Sequence, residues 1–189
     1  MTLSCSSTWT KRTYGPGIFV NQVEIADVQD ISGEQLPYME KSVDVGIKLI
    51  LEIGREFKPE QIIAGIFKRD SASGEVIGWG SGWLVRDALN RLGYSGPLNE
   101  GNTIPADALQ PLVGKRFNRL SYISGQKSNG KPRYSDWNQI ATIEEGAESL
   151  VSRFKRSLAK GYPKNYRPQI LDATTTILDT VPVSDDQAF

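Results

Sequence analysis

An alternation of apolar with other residues between Val43 and Ile53 constrains the fold most strongly. Apolar side chains occupy every second position of this segment: Val43, Val45, Ile47, Leu49, Leu51 and Ile53. Successive side chains of a β-strand point to opposite faces, so this period of two predicts a half-buried strand. The chain is therefore expected to contain a β-sheet with one covered face.

Other segments with strand character predict the remaining strands. These are Ile18–Val28, Gln61–Arg69, Lys115–Ser124 and Arg133–Ile143, with Glu75–Trp79 as a short hairpin return after the third strand. The period then changes in two places. Ser81 is predicted to cap a helix that runs to Leu92 and ends before Gly93, and a turn of helix is predicted at 106–110. Thr142 and Glu145 form a capping box that opens a second helix to about Lys160.

This order of elements predicts a mainly β protein with helices, an α+β class. Five strands, a helical insertion between the third and the fourth, and a helix after the fifth describe an oligonucleotide-binding (OB) barrel. Small sandwiches and SH3-like barrels share the strand count and remain open alternatives. The predicted boundaries are a flexible N-terminal arm at 1–14, an OB-fold nucleic-acid-binding domain at 15–168 and an acidic tail at 169–189.

Composition restricts the chemistry. The chain has no histidine, and Cys5 is its one cysteine, which excludes zinc sites of Cys and His, Ser–His and Cys–His triads, and an internal disulfide. We expect no cofactor, no metal and no enzymatic activity. A nuclease would need clustered carboxylates, and the nearest candidates are Asp136, Glu144 and Glu145, of which the last two fit better as first-turn helix residues.

The N-terminus is polar and lacks the apolar core of a signal peptide, and no apolar run approaches the length of a membrane span. The sequence therefore predicts a soluble cytoplasmic protein with no membrane partner.

Net charge is zero, but it is unevenly distributed. Residues 1–110 hold ten basic and fourteen acidic groups, residues 111–170 hold twelve and four, and residues 171–189 hold none and four. The basic part also carries aromatic residues. Cations neutralise phosphates and rings stack on bases, so this pattern predicts binding of single-stranded nucleic acid.

The predicted binding site centres on the segment from Lys115 to Trp137. Its cations are expected to contact phosphates and its aromatics, with Trp79, to stack on bases: Trp79, Lys115, Arg116, Arg119, Tyr122, Lys127, Lys131, Arg133, Tyr134 and Trp137. Each aromatic could instead belong to the core, since Leu120 and Tyr122 share one face of the strand while Phe117 and Ile123 share the other.

Three neighbouring features have two interpretations each. Gly125–Lys131 has the spacing of a phosphate-binding loop, but Pro132 and a strand follow where a Ser/Thr and a helix are needed, so it is interpreted as a basic hairpin loop. Trp83 is predicted to pack under the first helix. Five cations lie near the C-terminal end of the second helix, where they could compensate the helix dipole. Together with Tyr162 and Tyr166 they could instead form a second nucleic-acid contact surface. These cations are Lys155, Arg156, Lys160, Lys164 and Arg167.

The chain ends in Asp185-Asp-Gln-Ala-Phe189. The acids suit a basic partner surface and the phenyl ring an apolar pocket, although composition alone also fits a chain end without a role.

A basic, aromatic-rich OB barrel followed by this tip resembles the OB-fold single-stranded DNA-binding proteins of bacteria and their phages, the phage branch most closely. The resemblance implies sequence-independent coating of single-stranded DNA in replication, recombination and repair, in a bacterial host cell if the chain is phage-encoded. It implies that Asp185, Asp186 and Phe189 recruit replication or recombination proteins, and it is compatible with a homo-oligomer. Gln187 and Ala188 depart from the apolar-proline pair usual in bacteria. The alternative function is an OB-like protein-interaction adaptor that binds no nucleic acid.

Overall fold

The computed structural model describes residues 11–53, 58–101 and 104–170. Its strands are β1 (Arg12–Gly15), β2 (Ile18–Asp30), β3 (Val45–Glu52), β4 (Glu60–Gly65), β5 (Lys68–Arg69), β6 (Val76–Gly78), β7 (Arg116–Gln126) and β8 (Pro132–Ala141). Its helices are α1 (Trp83–Arg91), α2 (Ala106–Leu109) and α3 (Gly146–Ala159), with 3-10 turns at Gly80–Gly82 and Gln110–Leu112.

The main sheet has the order β4-β3-β2-β7-β8, and each neighbouring pair is antiparallel. The two ends of this order approach each other, because Gln61 Nε2 in β4 donates a hydrogen bond to the carbonyl oxygen of Trp137 in β8 at 2.9 Å. The molecule is therefore mainly β, with a nearly closed five-stranded antiparallel barrel and a few helices. This architecture is compatible with an OB-like α+β fold.

The barrel interior is filled by one face of each strand. Val45, Ile47, Leu49 and Leu51 are at most 1% exposed, as the alternation in the sequence predicts for β3. They pack in one cluster with apolar residues of β2, β7 and β8 and with the buried side of α1. Burial of this kind contributes roughly 25 cal/mol per Å² of apolar surface, so the barrel core is the main source of stability.

A second core lies under α3. Leu150, Val151 and Phe154 of this helix are buried against β7 and β8. The two hydrogen bonds of the predicted capping box are present: the backbone N–H of Thr142 donates to Glu145 Oε2 at 2.8 Å, and the N–H of Glu145 donates to Thr142 Oγ1 at 3.0 Å. These bonds close a turn before the helix and do not cap it, because α3 begins at Gly146 and its N-cap residue, Glu145, makes no side-chain capping bond. The predicted start of the second helix, and the placement of Glu144 and Glu145 in its first turn, are corrected accordingly.

The structure corrects the predicted start of the first helix. Ser81 does not cap α1; its Oγ accepts a hydrogen bond from the backbone N–H of Ile66 at 2.9 Å, and a 3-10 turn precedes Trp83. This turn packs directly on the end of β4, where a Cβ added at Gly65 would lie 2.4 Å from the Gly82 nitrogen. The predicted third strand accordingly breaks into β4 and β5 at this contact.

The structure also corrects the N-terminal arm. Arg12–Gly15 forms β1 and pairs with β2, with Thr13 opposite Phe19. The turn at Pro16–Gly17 folds the chain back on itself, so strand structure begins within the segment predicted to be flexible. Residues 1–10 and 171–189, the second range including Asp185, Asp186 and Phe189, lie outside the described residues.

None of the helices in the described ranges is long and apolar enough to cross a membrane.

Candidate nucleic-acid interface

One face of the sheet formed by β1, β2, β7 and β8 carries a cluster of charged and aromatic side chains. Residues directly opposite each other in antiparallel strands share a face, and the register pairs Phe19 with Ser121, Ser121 with Asp136, and Ile123 with Tyr134. We call this surface the Tyr134 face. It is formed by Lys11, Phe19, Arg119, Tyr134 and Asp136.

The centre of the Tyr134 face is a cation held over two rings. The rings of Phe19 and Tyr134 meet edge to face with centroids 5.6 Å apart. Lys11 Nζ lies 4.1 Å from the Phe19 centroid and 4.3 Å from the Tyr134 centroid, close enough for cation–π attraction. Tyr134 is 47% exposed whereas Phe19 is 9% exposed. The Tyr134 ring is therefore accessible to a ligand and is supported from below by the buried Phe19 ring.

The groups around Lys11 shift its pKa. Partial burial and the neighbouring guanidinium of Arg119 lower the pKa of the Lys11 ammonium, and Asp136 opposes them. Both effects reflect a positive charge that is incompletely solvated and faces a like charge. An anion placed against this face would relieve the repulsion.

Arg119 is not a free cation. Its Nη2 donates to Asp136 Oδ2 at 2.5 Å, and the two side chains are 12% and 24% exposed. Its Nε is buried without a hydrogen-bond partner among the described residues. Arg119 therefore holds Asp136 in place. It adds positive electrostatic potential to the face instead of the direct phosphate contact that was predicted for it.

Three predicted cations lie at the tip of the β7–β8 hairpin. Lys127, Lys131 and Arg133 are exposed, and the turn between them is closed by the N–H of Lys127 donating to the Lys131 carbonyl at 2.8 Å. A strand follows the turn and no helix begins there, so the Gly125–Lys131 segment lacks the helix that a phosphate-binding loop requires. The tip continues from Tyr134 along β8 and extends the positive surface.

The other two predicted cations lie at the opposite end of β7. Lys115 and Arg116 line a separate cleft of about 430 Å³ together with Arg91 and Glu144. Arg116 Nε also donates to Glu24 at 3.1 Å. Since β7 has eleven residues and a strand rises about 3.3 Å per residue, these two cations are not part of the Tyr134 face.

The aromatic residues predicted to stack on bases also lie in different parts of the structure. Tyr122 and Trp137 are each 5% exposed and pack on Phe154 of α3 with centroids 5.3 and 5.2 Å apart. Burial raises the pKa of the Tyr122 hydroxyl, which donates to Asn165 at 3.0 Å. Both rings belong to the second core, so neither is exposed for stacking on a base.

Trp79 lies beside α1, away from the hairpin. Its ring packs edge-on against Phe67 with centroids 5.5 Å apart, and the Arg86 guanidinium lies 5.0 Å from its centroid. It is partly buried at the margin of the barrel core. Of the four aromatics predicted to stack, Tyr134 alone presents an exposed ring on the Tyr134 face.

Sequence reasoning missed Lys11 and Phe19. Phe19 shares a strand face with Val23 and Ile25, a parity that by itself indicates the core. Lys11 lies in the segment 1–14, which the sequence predicts to be a flexible arm. The signal that links them is the Gly15-Pro16-Gly17 turn, because a hairpin there places the residues before it opposite β2.

The carboxylates considered for metal binding are occupied in other ways. Asp136 pairs with Arg119, and Glu145 accepts from Thr142 and from Arg91. Across the ranges that the structure covers, no three His, Cys, Asp or Glu residues are grouped so that they could hold a metal ion.

The Tyr134 face thus combines an exposed ring with a lysine of lowered pKa, and it lies beside a hairpin tip with three exposed cations. Comparisons of the chain with protein-family models, curated proteins and solved structures gave no match.

Proposed function

We propose that this protein binds single-stranded DNA without sequence preference through the Tyr134 face, in replication, recombination and repair of phage DNA. One observation carries the proposal: the Lys11 ammonium lies over two rings, one of them 47% exposed, next to a hairpin tip that bears three exposed cations.

The chemistry of this arrangement suits a flexible polyanion with exposed bases. A base stacks on Tyr134, a contact that tolerates every base because each has a π-face. Phosphates on either side meet Lys11 and the tip cations Lys127, Lys131 and Arg133, and binding releases their counterions. Duplex DNA hides its base faces, so it gains the phosphate contacts without the stacking.

The barrel supports the same function if it is an OB fold. We assign its five strands to β2, β3, β4, β7 and β8, with the helical segment around α1 and α2 inserted between the third and fourth strands and α3 following the fifth. The basic hairpin tip is then the loop between strands four and five, which contacts oligonucleotides in that fold.

The outer surface of β3 and β4 is a weaker candidate. Lys48 is the cation on this part of β3, and Glu52, Glu60 and Asp27 lie in the same or paired strands. The loop 31–44 also packs onto Ile62 and Ala64. Acidic groups and a covering loop favour the β7–β8 side as the path of the DNA.

We further propose that Asp185, Asp186 and Phe189 recruit replication or recombination proteins, and that the protein acts without enzymatic activity.

Titration of a labelled polythymidine single strand with the full chain tests the proposal. If the four exposed cations of the site each contact a phosphate, log K is expected to fall with log salt with a slope of about −3, from about −0.7 per phosphate on single strands. Duplex DNA of the same length should bind more weakly. No saturable binding at about 50 mM salt would leave the adaptor function as the better interpretation.

A further inference from the structure

A second groove lies where β8 meets the start of α1 and the turn after α3. Its volume is about 320 Å³, and its lining includes Trp83, Tyr162, Asn138, Gln139 and Ser157. This volume is at the lower end of small-ligand sites. It suits one flat molecular group better than a folded partner.

Two aromatic residues that line the groove are exposed. Trp83 is 41% exposed and Tyr162 is 59% exposed. Trp83 is the first residue of α1, and the buried side of that helix consists of Val85, Ala88 and Leu89. The prediction that Trp83 packs under the helix is therefore wrong. Its ring is not needed to fill the core, and it stays accessible to a ligand.

Tyr162 is held in position by its own turn. Its backbone N–H donates to the Ser157 carbonyl at 3.0 Å, and the N–H of Arg167 donates to the Ile123 carbonyl in β7 at 2.8 Å. The side chain of Asn165, in the same turn, accepts from the buried Tyr122 hydroxyl. These contacts fix the backbone of the turn to the barrel, so little backbone entropy is lost when a ligand meets the ring.

The polar and charged groups around the groove indicate the class of ligand. The exposed Asn138 amide supplies both a donor and an acceptor. The acid in its lining, Asp136, is paired with Arg119. Lys160 and Lys164 are exposed on either side of Tyr162 in the chain, with Lys164 Nζ 5.8 Å from the ring centroid. Exposed rings, an amide edge and nearby cations suit a nucleobase whose phosphates lie outside the groove.

We propose that this groove takes one nucleobase of the same single strand that contacts the Tyr134 face, in contact with Trp83 and Tyr162. The inference rests on the proposed function and adds a second, separate base site to it. Tyr122 and Trp137 also line the groove, so it lies on the α3 side of the β7–β8 hairpin, opposite the Tyr134 face. Asp136 belongs to the Tyr134 face and lines the groove as well, so a single strand that contacts both sites passes around β8 at Asp136. A peptide is the competing occupant.

The test uses the full chain, polythymidine single strands and the variants Trp83→Ala, Tyr162→Ala, Tyr162→Phe and Asn138→Asp. Loss of one stacked base is expected to raise Kd between about fivefold and 150-fold for each alanine variant. The salt slope should stay unchanged, because neither ring contacts a phosphate. Tyr162→Phe should bind as the wild type does, and Asn138→Asp should weaken binding. Tyr38→Ala, in the loop 31–44 and 71% exposed, is the matched control and should have no effect.

The outcomes separate this inference from the proposed function. If the wild type binds and Tyr134→Ala weakens binding while Trp83→Ala, Tyr162→Ala and Asn138→Asp bind as the wild type does, the groove is not a base site and the function stands. If the wild type binds no single strand, both fail. Tyr162 and Asn138 are exposed, so these two variants decide the question even if Trp83→Ala does not fold.

Discussion

Replacing Tyr134 by alanine should weaken binding of single-stranded DNA more than its effect on folding would suggest. About half of the ring is exposed, and this free surface is the part that we assign to the base. Stacking on one aromatic contributes about 1–3 kcal/mol. The expected rise in Kd is therefore between about fivefold and 150-fold. Tyr134→Phe keeps the ring and should stay close to the wild-type Kd.

The cost to stability should be smaller. The variant loses an edge-to-face contact with Phe19, a pair worth about 0.5–1.5 kcal/mol beyond its buried area, in a position that is already half solvated. Chemical denaturation of both proteins measures this loss independently of DNA. A variant that remains folded throughout the titration then reports on binding alone.

The assay is fluorescence anisotropy of a labelled polythymidine strand at two salt concentrations, with Tyr38→Ala as control. The slope of log K against log salt should be the same for Tyr134→Ala and the wild type, because the ring makes no phosphate contact. A Kd unchanged in Tyr134→Ala, or an equal loss in Tyr38→Ala, would refute the assignment of the site.

Three other predictions test the charges and the core. Charge reversal at Lys127 and Lys131 together should weaken binding and reduce the magnitude of the salt slope by about 1.4, from about 0.7 per phosphate, and an unchanged slope would remove the hairpin tip from the site. A bound DNA phosphate should raise the lowered pKa of Lys11, so binding takes up a proton, and the affinity should fall as pH rises through the pKa of Lys11 in the free protein. The affinity of Lys11→Arg, which stays charged, should not fall in this pH range. Equal pH profiles for the two proteins would contradict a contact between Lys11 and phosphate. Phe154→Ala should lower the free energy of unfolding by about 3–5 kcal/mol, since this fully buried ring contacts Tyr122 and Trp137, and a loss below about 1 kcal/mol in chemical denaturation would contradict the proposed packing of α3.

The strands could be predicted from the sequence because their signal is local. The alternation from Val43 to Ile53 follows directly from the geometry of one strand, and it requires no knowledge of the partners. The two hydrogen bonds predicted between Thr142 and Glu145 are equally local, since both join residues three apart.

The base-stacking residues could not be predicted in the same way. Strand parity separates the two faces of the β7–β8 hairpin, but it does not say which face α3 covers. That choice depends on where Phe154 packs, a contact between residues that are distant in the sequence. Tyr122 and Trp137 consequently belong to the core while Tyr134 on the same hairpin stays exposed.

Clustering of charge along the sequence also differs from clustering in space. Lys115 and Lys127 belong to one basic segment, yet a strand of eleven residues separates them. Lys11, by contrast, lies in the site because the turn after β1 folds it back over Phe19. A strand keeps sequence neighbours apart, and a tight turn brings residues on either side of it together.

Photo-crosslinking with a single strand that carries 5-iododeoxyuridine tests the central claim most directly. The halogenated base reacts with a ring on which it stacks, and mass spectrometry identifies the modified residue. We predict a crosslink at residue 134 that persists in Tyr134→Phe, disappears in Tyr134→Ala, and fades as salt is raised. Crosslinks confined to Tyr38 or Trp79, with none at Tyr134, would contradict the assignment of the Tyr134 face as the site where DNA binds.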